Sequence, residues 1–428
     1  MVGATITGIG LRTPVGDGAA EVFDALCAGR SGLGRPPAGH PAAESVDVGG
    51  FMADIDPRTV QKGPEANTLD RVVVLALLCA ADALADAGIT VGTDVDPGRI
   101  GVVVGGVGGM ATLEAQVLAR GERGRAAVSP YLLTGILPNM PAARIAIRHG
   151  IRGYSSSVGT ACASGAQAIA EGLRLIREGT VDVVLCGASE APLFATFADT
   201  FANARALASG WPDPTESSRP FDLRRNGFVL AEGAALVVLE RVEHADARGA
   251  AGYADVIGWG ATTDAHHPTT PRPDGSGAAE CMRRSIADAG VAPADIGYVN
   301  AHGTGTKLGD IAESAALTAV FGAASDQDTP PVSSTKGLTG HMLGTSGAVE
   351  AVACALAVAS GTAPPTHNLD DPDPACALRH IVKAPLLASI DHALSNSFGF
   401  GGQNLSLVFG RASTRRHRGT GTTQESTA

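Results

Sequence analysis

Short β-branched runs that lead into glycine turns and then into apolar helices recur along the whole chain, and this order admits few folds. Ile100-Gly101-Val102-Val103-Val104 reads as a buried strand, as does Val181-Asp182-Val183-Val184-Leu185-Cys186-Gly187. Ala235-Leu236-Val237-Val238-Leu239 and Leu405-Ser406-Leu407-Val408-Phe409 read the same way. Between them, Asp70 to Ala87 and Gly275 to Gly290 carry helical spacing. Strands alternating with helices predict an α/β protein with parallel or mixed sheets. The chain has 428 residues. Single cores usually stop growing at about 250–300 residues, so two similar halves are expected.

A large-scale echo agrees. Each half holds a strand, a turn with a reactive type of residue, and an apolar helix. The pieces are Gly159-Thr160-Ala161-Cys162 and Asn300-Ala301-His302-Gly303. A boundary is expected within 252–262, giving one half over 1–255 and another over 256–411. The stretch 412–428 is polar and without periodicity, and it reads as a disordered tail.

Composition closes off several functions. A net charge of −11 argues against non-specific nucleic-acid binding. No window of about 18 uninterrupted apolar residues offers a membrane span. The N-terminus lacks the charged-then-apolar layout of a signal peptide. Seven scattered cysteines, none in a CxxC pair, read as reduced thiols of a cytoplasmic protein. Aromatics make up 4% while glycines number 56, so the core is expected to pack small side chains closely.

Cys162 stands apart from the other cysteines. It follows Gly159-Thr160-Ala161 and precedes a helix in which Ala166, Ile169, Ala170, Leu173 and Ile176 share one face. A helix N-terminus favours negative charge and lowers a thiol's pKa. Cys162 therefore reads either as a nucleophile or as an ordinary buried thiol. Cys27, Cys79, Cys186, Cys281, Cys354 and Cys376 read as buried thiols.

Two histidines sit at junctions where α/β proteins gather active-site groups. His302 follows the short strand ending at Val299. His341 precedes the apolar helix Ala348 to Ala359 and follows Ser333-Ser334-Thr335-Lys336. A neutral imidazole can donate Nε2–H to a developing oxyanion. The remaining histidines read as structural, and no HxxxH or HExxH spacing suggests a metal. Gly105-Gly106-Val107-Gly108-Gly109 lacks dinucleotide spacing and a Walker lysine.

Together these segments resemble the β-ketoacyl-ACP synthase family, most closely its elongating type II members, from about residue 3 to residue 410. The motifs are Gly159-Thr160-Ala161-Cys162-Ala163-Ser164-Gly165, Asn300-Ala301-His302-Gly303-Thr304-Gly305-Thr306, Ser334-Thr335-Lys336-Gly337-Leu338-Thr339-Gly340-His341 and Asn396-Ser397-Phe398-Gly399-Phe400-Gly401-Gly402. Arg219-Pro220-Phe221-Asp222 and Gly227-Phe228-Val229 also match family signatures.

The resemblance implies a thiolase-like five-layer α-β-α-β-α sandwich of two similar halves. It implies an acyltransferase that condenses an acyl group on Cys162 with malonyl-ACP in a polyketide, polyene or other specialised pathway, with fatty-acid elongation as the alternative and a thiolase or a non-catalytic partner subunit as lesser ones. Cys162, His302, His341 and Lys336 match its catalytic set, with backbone N–H groups of Cys162 and Phe400 as the oxyanion hole. Thr304, Thr306, Phe398, Phe400 and Val107 match substrate-contacting positions. Glu350 matches the structural partner of Lys336. Neither metal nor organic cofactor is implied. The implied partners are an acyl carrier protein and a second subunit, in a homodimer or in a heterodimer with a chain-length-factor-like chain. The segment 58–68 is less basic than the family's carrier-docking stretch, which points to a dedicated carrier. Val107 replaces a larger aliphatic residue and is expected to admit a longer or bulkier chain.

Overall fold

The computed structural model describes residues 3–323 and 329–418. Ten strands form its frame. The first five are β1 (Ala4–Thr13), β2 (Ile100–Gly105), β3 (Ser155–Val158), β4 (Val183–Glu190) and β5 (Gly233–Arg241). The second five are β6 (Ala254–Thr263), β7 (Tyr298–Asn300), β8 (Val332–Ser333), β9 (His392–Gly399) and β10 (Gln403–Arg411). The first set runs β3-β2-β4-β5-β1 and the second β8-β7-β9-β10-β6. In each set the first two pairings are parallel and the last two antiparallel. Each strand of the second half thus repeats the one five places earlier. The halves meet along one edge, where Ala4 and Thr5 pair with Val256 and Asp255.

Six helices complete the layers: α1 (Arg71–Ala87), α2 (Met140–His149), α3 (Ser164–Arg177), α4 (Ser276–Ala289), α5 (Lys307–Phe321) and α6 (Gly344–Ser360). Helices α1 and α2 cover the outer face of the first sheet half, and α4 packs with α5 against the second. Helices α3 and α6 pack on each other between the halves. The result is the mixed α/β thiolase-like fold, in the order α-β-α-β-α.

Small residues set the layer spacing. A Cβ at Gly8 or Gly10 of β1 would lie 2.2 or 2.0 Å from backbone carbonyls of α1. A Cβ at Gly258 or Gly260 of β6 would meet α4 just as closely, at 2.5 and 2.3 Å. Both halves therefore use a Gly-x-Gly strand to let a helix lie flat on it. Helix α6 is buried on every side from Gly344 to Val358. A helix apolar all round has no outward face, and its alanines let sheets approach from both sides. Among the described residues, no helix is long and apolar enough to cross a membrane.

Boundaries follow local chemistry. Asp70 caps α1 by accepting the Val72 N–H at 3.1 Å, and Gly88 ends it in a left-handed turn. Gly275 and Gly290 flank α4 in the same conformation.

Two expectations need correction. Residues 412–418 are ordered rather than disordered. Arg416 and His417 pair in parallel with Ala251 and Gly252, and Thr414 is buried. The Arg418 guanidinium bonds the Asp86 carboxylate and stacks 4.9 Å over the Tyr253 ring. Specific polar bonds hold this strap where no apolar periodicity announced it. Residues 419–428 of the expected tail lie outside the described residues. The echo between the halves also pairs differently. The turn carrying Cys162 follows β3, and its counterpart follows β8 and carries His341. The His302 turn follows β7 and corresponds to the Gly106-Val107 turn after β2.

Candidate active site

The Cys162 and His341 turns are two copies of one elbow. Ala161 has φ 48° and Leu343 has φ 47°, both left-handed and both non-glycine. Each is followed three residues later by Ser-Gly-Ala, at Ser164-Gly165-Ala166 and Ser346-Gly347-Ala348. A Cβ at Gly165 would lie 2.6 Å from the Gly344 carbonyl, and one at Gly347 would lie 3.1 Å from the Ala166 nitrogen. The two helix starts therefore abut, which brings Cys162 and His341 together. Such strain at two matched turns marks a place where geometry is fixed by the surroundings.

His341 Nε2 lies 3.1 Å from Cys162 Sγ. The nearby backbone N–H groups of Phe400 and Cys162 favour a negative charge on the sulfur. The His302 ring stands 5.4 Å from the His341 ring, at 83°. Lys336 is fully buried beneath them, and its Nζ pairs with the Glu350 carboxylate. Burial, aided by the Lys336 charge, holds both histidines well below their usual pKa. Both are therefore neutral imidazoles at physiological pH, able to donate and accept.

The thiol departs from expectation. Burial pushes Cys162 up to about 12, although Lys336 and the two backbone N–H groups pull the other way. Desolvation disfavours the thiolate. The resting sulfur is a neutral thiol beside a neutral imidazole.

The other expected residues lie at the end of β9 and in the loops after β2, β7 and β9. Thr304 and Thr306 lie in the loop between β7 and α5, their hydroxyls 3.1 Å apart. The Phe398 ring packs 5.7 Å from the His302 ring. The Phe400 ring is 44% exposed and faces Phe201 at 6.2 Å. Val107 is 40% exposed on the turn after β2 and stands outside the apolar cluster around Cys162.

Several contributors were not read from the sequence. Glu313 of α5 accepts the backbone N–H groups of His302 and Gly303, each at 2.8 Å. Asp310, one turn earlier, accepts Gly305 N–H at 3.2 Å and Phe221 N–H at 2.8 Å. Two acids three residues apart in the first turns of a helix after a glycine-rich loop are the available signal, because such acids bind the preceding N–H groups. The family-like Phe228 ring packs 5.4 Å from His341, and the Val229 carbonyl accepts His341 N–H at 2.7 Å. Phe194, Phe197, Phe201 and Phe228 form a chain of rings that runs from the outer helix Ala195–Asn203 to His341.

Glu190, at the end of β4, is buried at the start of α6. Burial lifts its carboxyl to about 8, against the N–H groups of Val107 and Gly344. The folded chain then keeps a proton that the unfolded chain releases near its ordinary 4.5. A raised carboxyl contributes stability that is present below the unfolded pKa and is lost as pH rises through the folded one. Glu190→Gln removes this term. The urea midpoint of the wild type is expected to fall relative to the variant from about pH 5 to about pH 9. Parallel midpoints would show that Glu190 ionises freely in the fold.

A thiol and two neutral imidazoles thus stand together at the junction of two thiolase-like halves. Comparison with known proteins gives the family. Residues 4–245 match the Beta-ketoacyl synthase N-terminal domain and residues 253–370 its C-terminal domain. The chain is 38% identical over 405 residues to a 3-oxoacyl-[acyl-carrier-protein] synthase 2 of Synechocystis, covering 94% of this chain and 97% of that one. Among solved structures, the ishigamide ketosynthase/chain length factor superposes with a TM-score of 0.88 at 32% identity, covering 96% and 99% of the two chains. A type II PKS ketosynthase bound to a hexaketide, in complex with its acyl-carrier protein, gives 0.87 at 30%, also covering 96% and 99%. The chain belongs to the β-ketoacyl synthase family and is a condensing acyltransferase.

Proposed function

We infer that Cys162 carries the acyl group and that the two histidines handle the malonyl unit. The observation that carries this reading is Cys162 Sγ held 3.1 Å from His341 Nε2, with the His302 ring 5.4 Å from that of His341. In the first half-reaction the sulfur attacks the carbon of an acyl thioester on a carrier protein. The carrier's carbon–sulfur bond breaks, and the carrier thiol leaves with the proton of the Cys162 thiol. The Phe400 and Cys162 N–H groups stabilise the oxyanion. In the second, His302 and His341 donate Nε2–H to the thioester oxygen of malonyl-ACP. Carbon dioxide leaves, the resulting carbanion attacks the acyl carbon, and the bond to Cys162 breaks. The product is a β-ketoacyl-ACP. Carbon dioxide loss supplies the driving force, so the reading calls for no cofactor. Thr304 and Thr306 hold the phosphopantetheine arm. Lys336, held by Glu350, adds its charge to the burial that keeps both imidazoles neutral.

The pathway reading is a specialised one, polyketide or polyene, in the cytoplasm. Three things support it: the weakly basic 58–68 segment, the likeness to ketosynthases of such systems, and seven cysteines that all remain free thiols. Fatty-acid elongation is the second reading, favoured by the full-length likeness to 3-oxoacyl-ACP synthases. The partner is a second subunit of the same fold, whether a copy of this chain or a chain-length-factor-like one. Strand β3 ends the sheet, pairing with β2 alone among the described strands. The segment that precedes it exposes Val117, Leu118 and Leu133. An unpaired strand edge and exposed apolar side chains are each surfaces that a partner can cover.

The test is condensation read as β-ketoacyl product on the carrier protein, with a fatty-acid carrier and a polyketide carrier compared over acyl donors of increasing length. Product from the polyketide carrier alone supports the specialised reading, and equal use of both supports elongation. Val107→Phe is expected to shorten the accepted chain. An unchanged length profile would remove Val107 from the pocket.

A further inference from the structure

We propose that Ser346 is a positioning residue that fixes His341 in the tautomer with the proton on Nε2. The inference rests on the condensing role given to His341 above. Ser346 lies in the first turn of α6 and is buried. Its Oγ accepts the Met342 N–H at 2.9 Å. The same Oγ is 3.1 Å from His341 Nδ1. A hydroxyl has one proton to give, and with the oxygen already taking an N–H, that proton has His341 Nδ1 as its acceptor among the described residues. If Nδ1 carried the proton instead, the serine hydrogen would be stranded in a buried site. Nδ1 therefore accepts, and Nε2–H points at Cys162 Sγ, 3.1 Å away.

This settles what His341 does first. It offers Nε2–H to the sulfur side of the site, where the malonyl thioester oxygen will sit, and it does so before substrate arrives. His302 has no such partner, since its Nδ1 is buried without a hydrogen bond among the described residues. The two imidazoles are thus held differently, one by a serine hydroxyl and one by the loop clamp of Glu313. The serine occupies the same place in its elbow as Ser164, whose Oγ bonds the Thr160 N–H at 2.9 Å and the Ala161 carbonyl at 2.7 Å. One half uses the serine to hold the turn. The other has turned the same residue toward the histidine.

Nitrogen-15 NMR of histidine-labelled full-length protein tests it, with His341→Gln assigning the resonance. The expected wild-type spectrum has Nε2 protonated and Nδ1 bare but hydrogen-bonded. Ser346→Ala should release the Nδ1 signal and populate the other tautomer. It should also lower kcat for malonyl-thioester decarboxylation by about fivefold to tenfold with KM unchanged, and Ser346→Thr should restore both. A protonated Nδ1 in the wild type would overturn the proposal, as would an unchanged tautomer in Ser346→Ala. Because the tautomer is read without turnover, a chain inert toward every thioester would refute the condensing role and leave the tautomer result standing.

Discussion

Replacing His302 with alanine will slow loss of carbon dioxide from malonyl-ACP by about 10²–10³-fold while acyl transfer onto Cys162 continues. The asymmetry follows from geometry. His341 Nε2 stands against the Cys162 sulfur, whereas the His302 ring packs between His341 and Phe398. With the thiol pushed up to about 12 by burial, the charge that the sulfur gains on losing its proton needs a donor, and His341 Nε2–H is that donor. His341→Ala should therefore impair both half-reactions and His302→Ala the second alone. Intact-mass kinetics of acylation and release of labelled carbon dioxide read the two steps separately. Equal loss of acylation in both variants would contradict this division of labour.

Gly399→Ala is expected to slow acylation of Cys162 by about 10²-fold or more. A Cβ there would lie 2.5 Å from the Thr160 carbonyl and 3.2 Å from the Cys162 nitrogen. Both neighbours are backbone, so the end of β9 must move off the cysteine turn and take the Phe400 N–H with it. Phe400→Ala is the control, because it removes the ring and keeps the N–H. It should change acyl-donor preference more than the rate. A melting curve for each variant separates a displaced donor from a fold that has loosened. Acylation of Gly399→Ala at the wild-type rate would mean that the Phe400 N–H does not serve the oxyanion.

What could be read from the sequence depended on how local the determinant was. Helix ends were legible because Asp70, Gly88, Gly275 and Gly290 act through their own backbone. Alternating strands and helices gave the class, and the motif resemblance gave the layers. The pairing of the elbows was not legible, although both carry Ser-Gly-Ala, because a three-residue repeat of small residues is weak beside two reactive-looking loops. The direction of the Cys162 shift was misread for a related reason. The helix start is local, but burial comes from Phe228, Leu343 and Leu193, which lie far along the chain. Glu313 and Ser346 escaped notice because they act on neighbouring backbone and on one imidazole nitrogen, and nothing in their own residue type announces that.

The most direct measurement is the intact mass of the full chain after mixing with acyl-carrier thioesters, beside Cys162→Ala. The account predicts a gain of one acyl group on the wild type and none on the variant. An adduct that survives Cys162→Ala, or a wild type that stays unmodified while malonyl-dependent product forms, would contradict it.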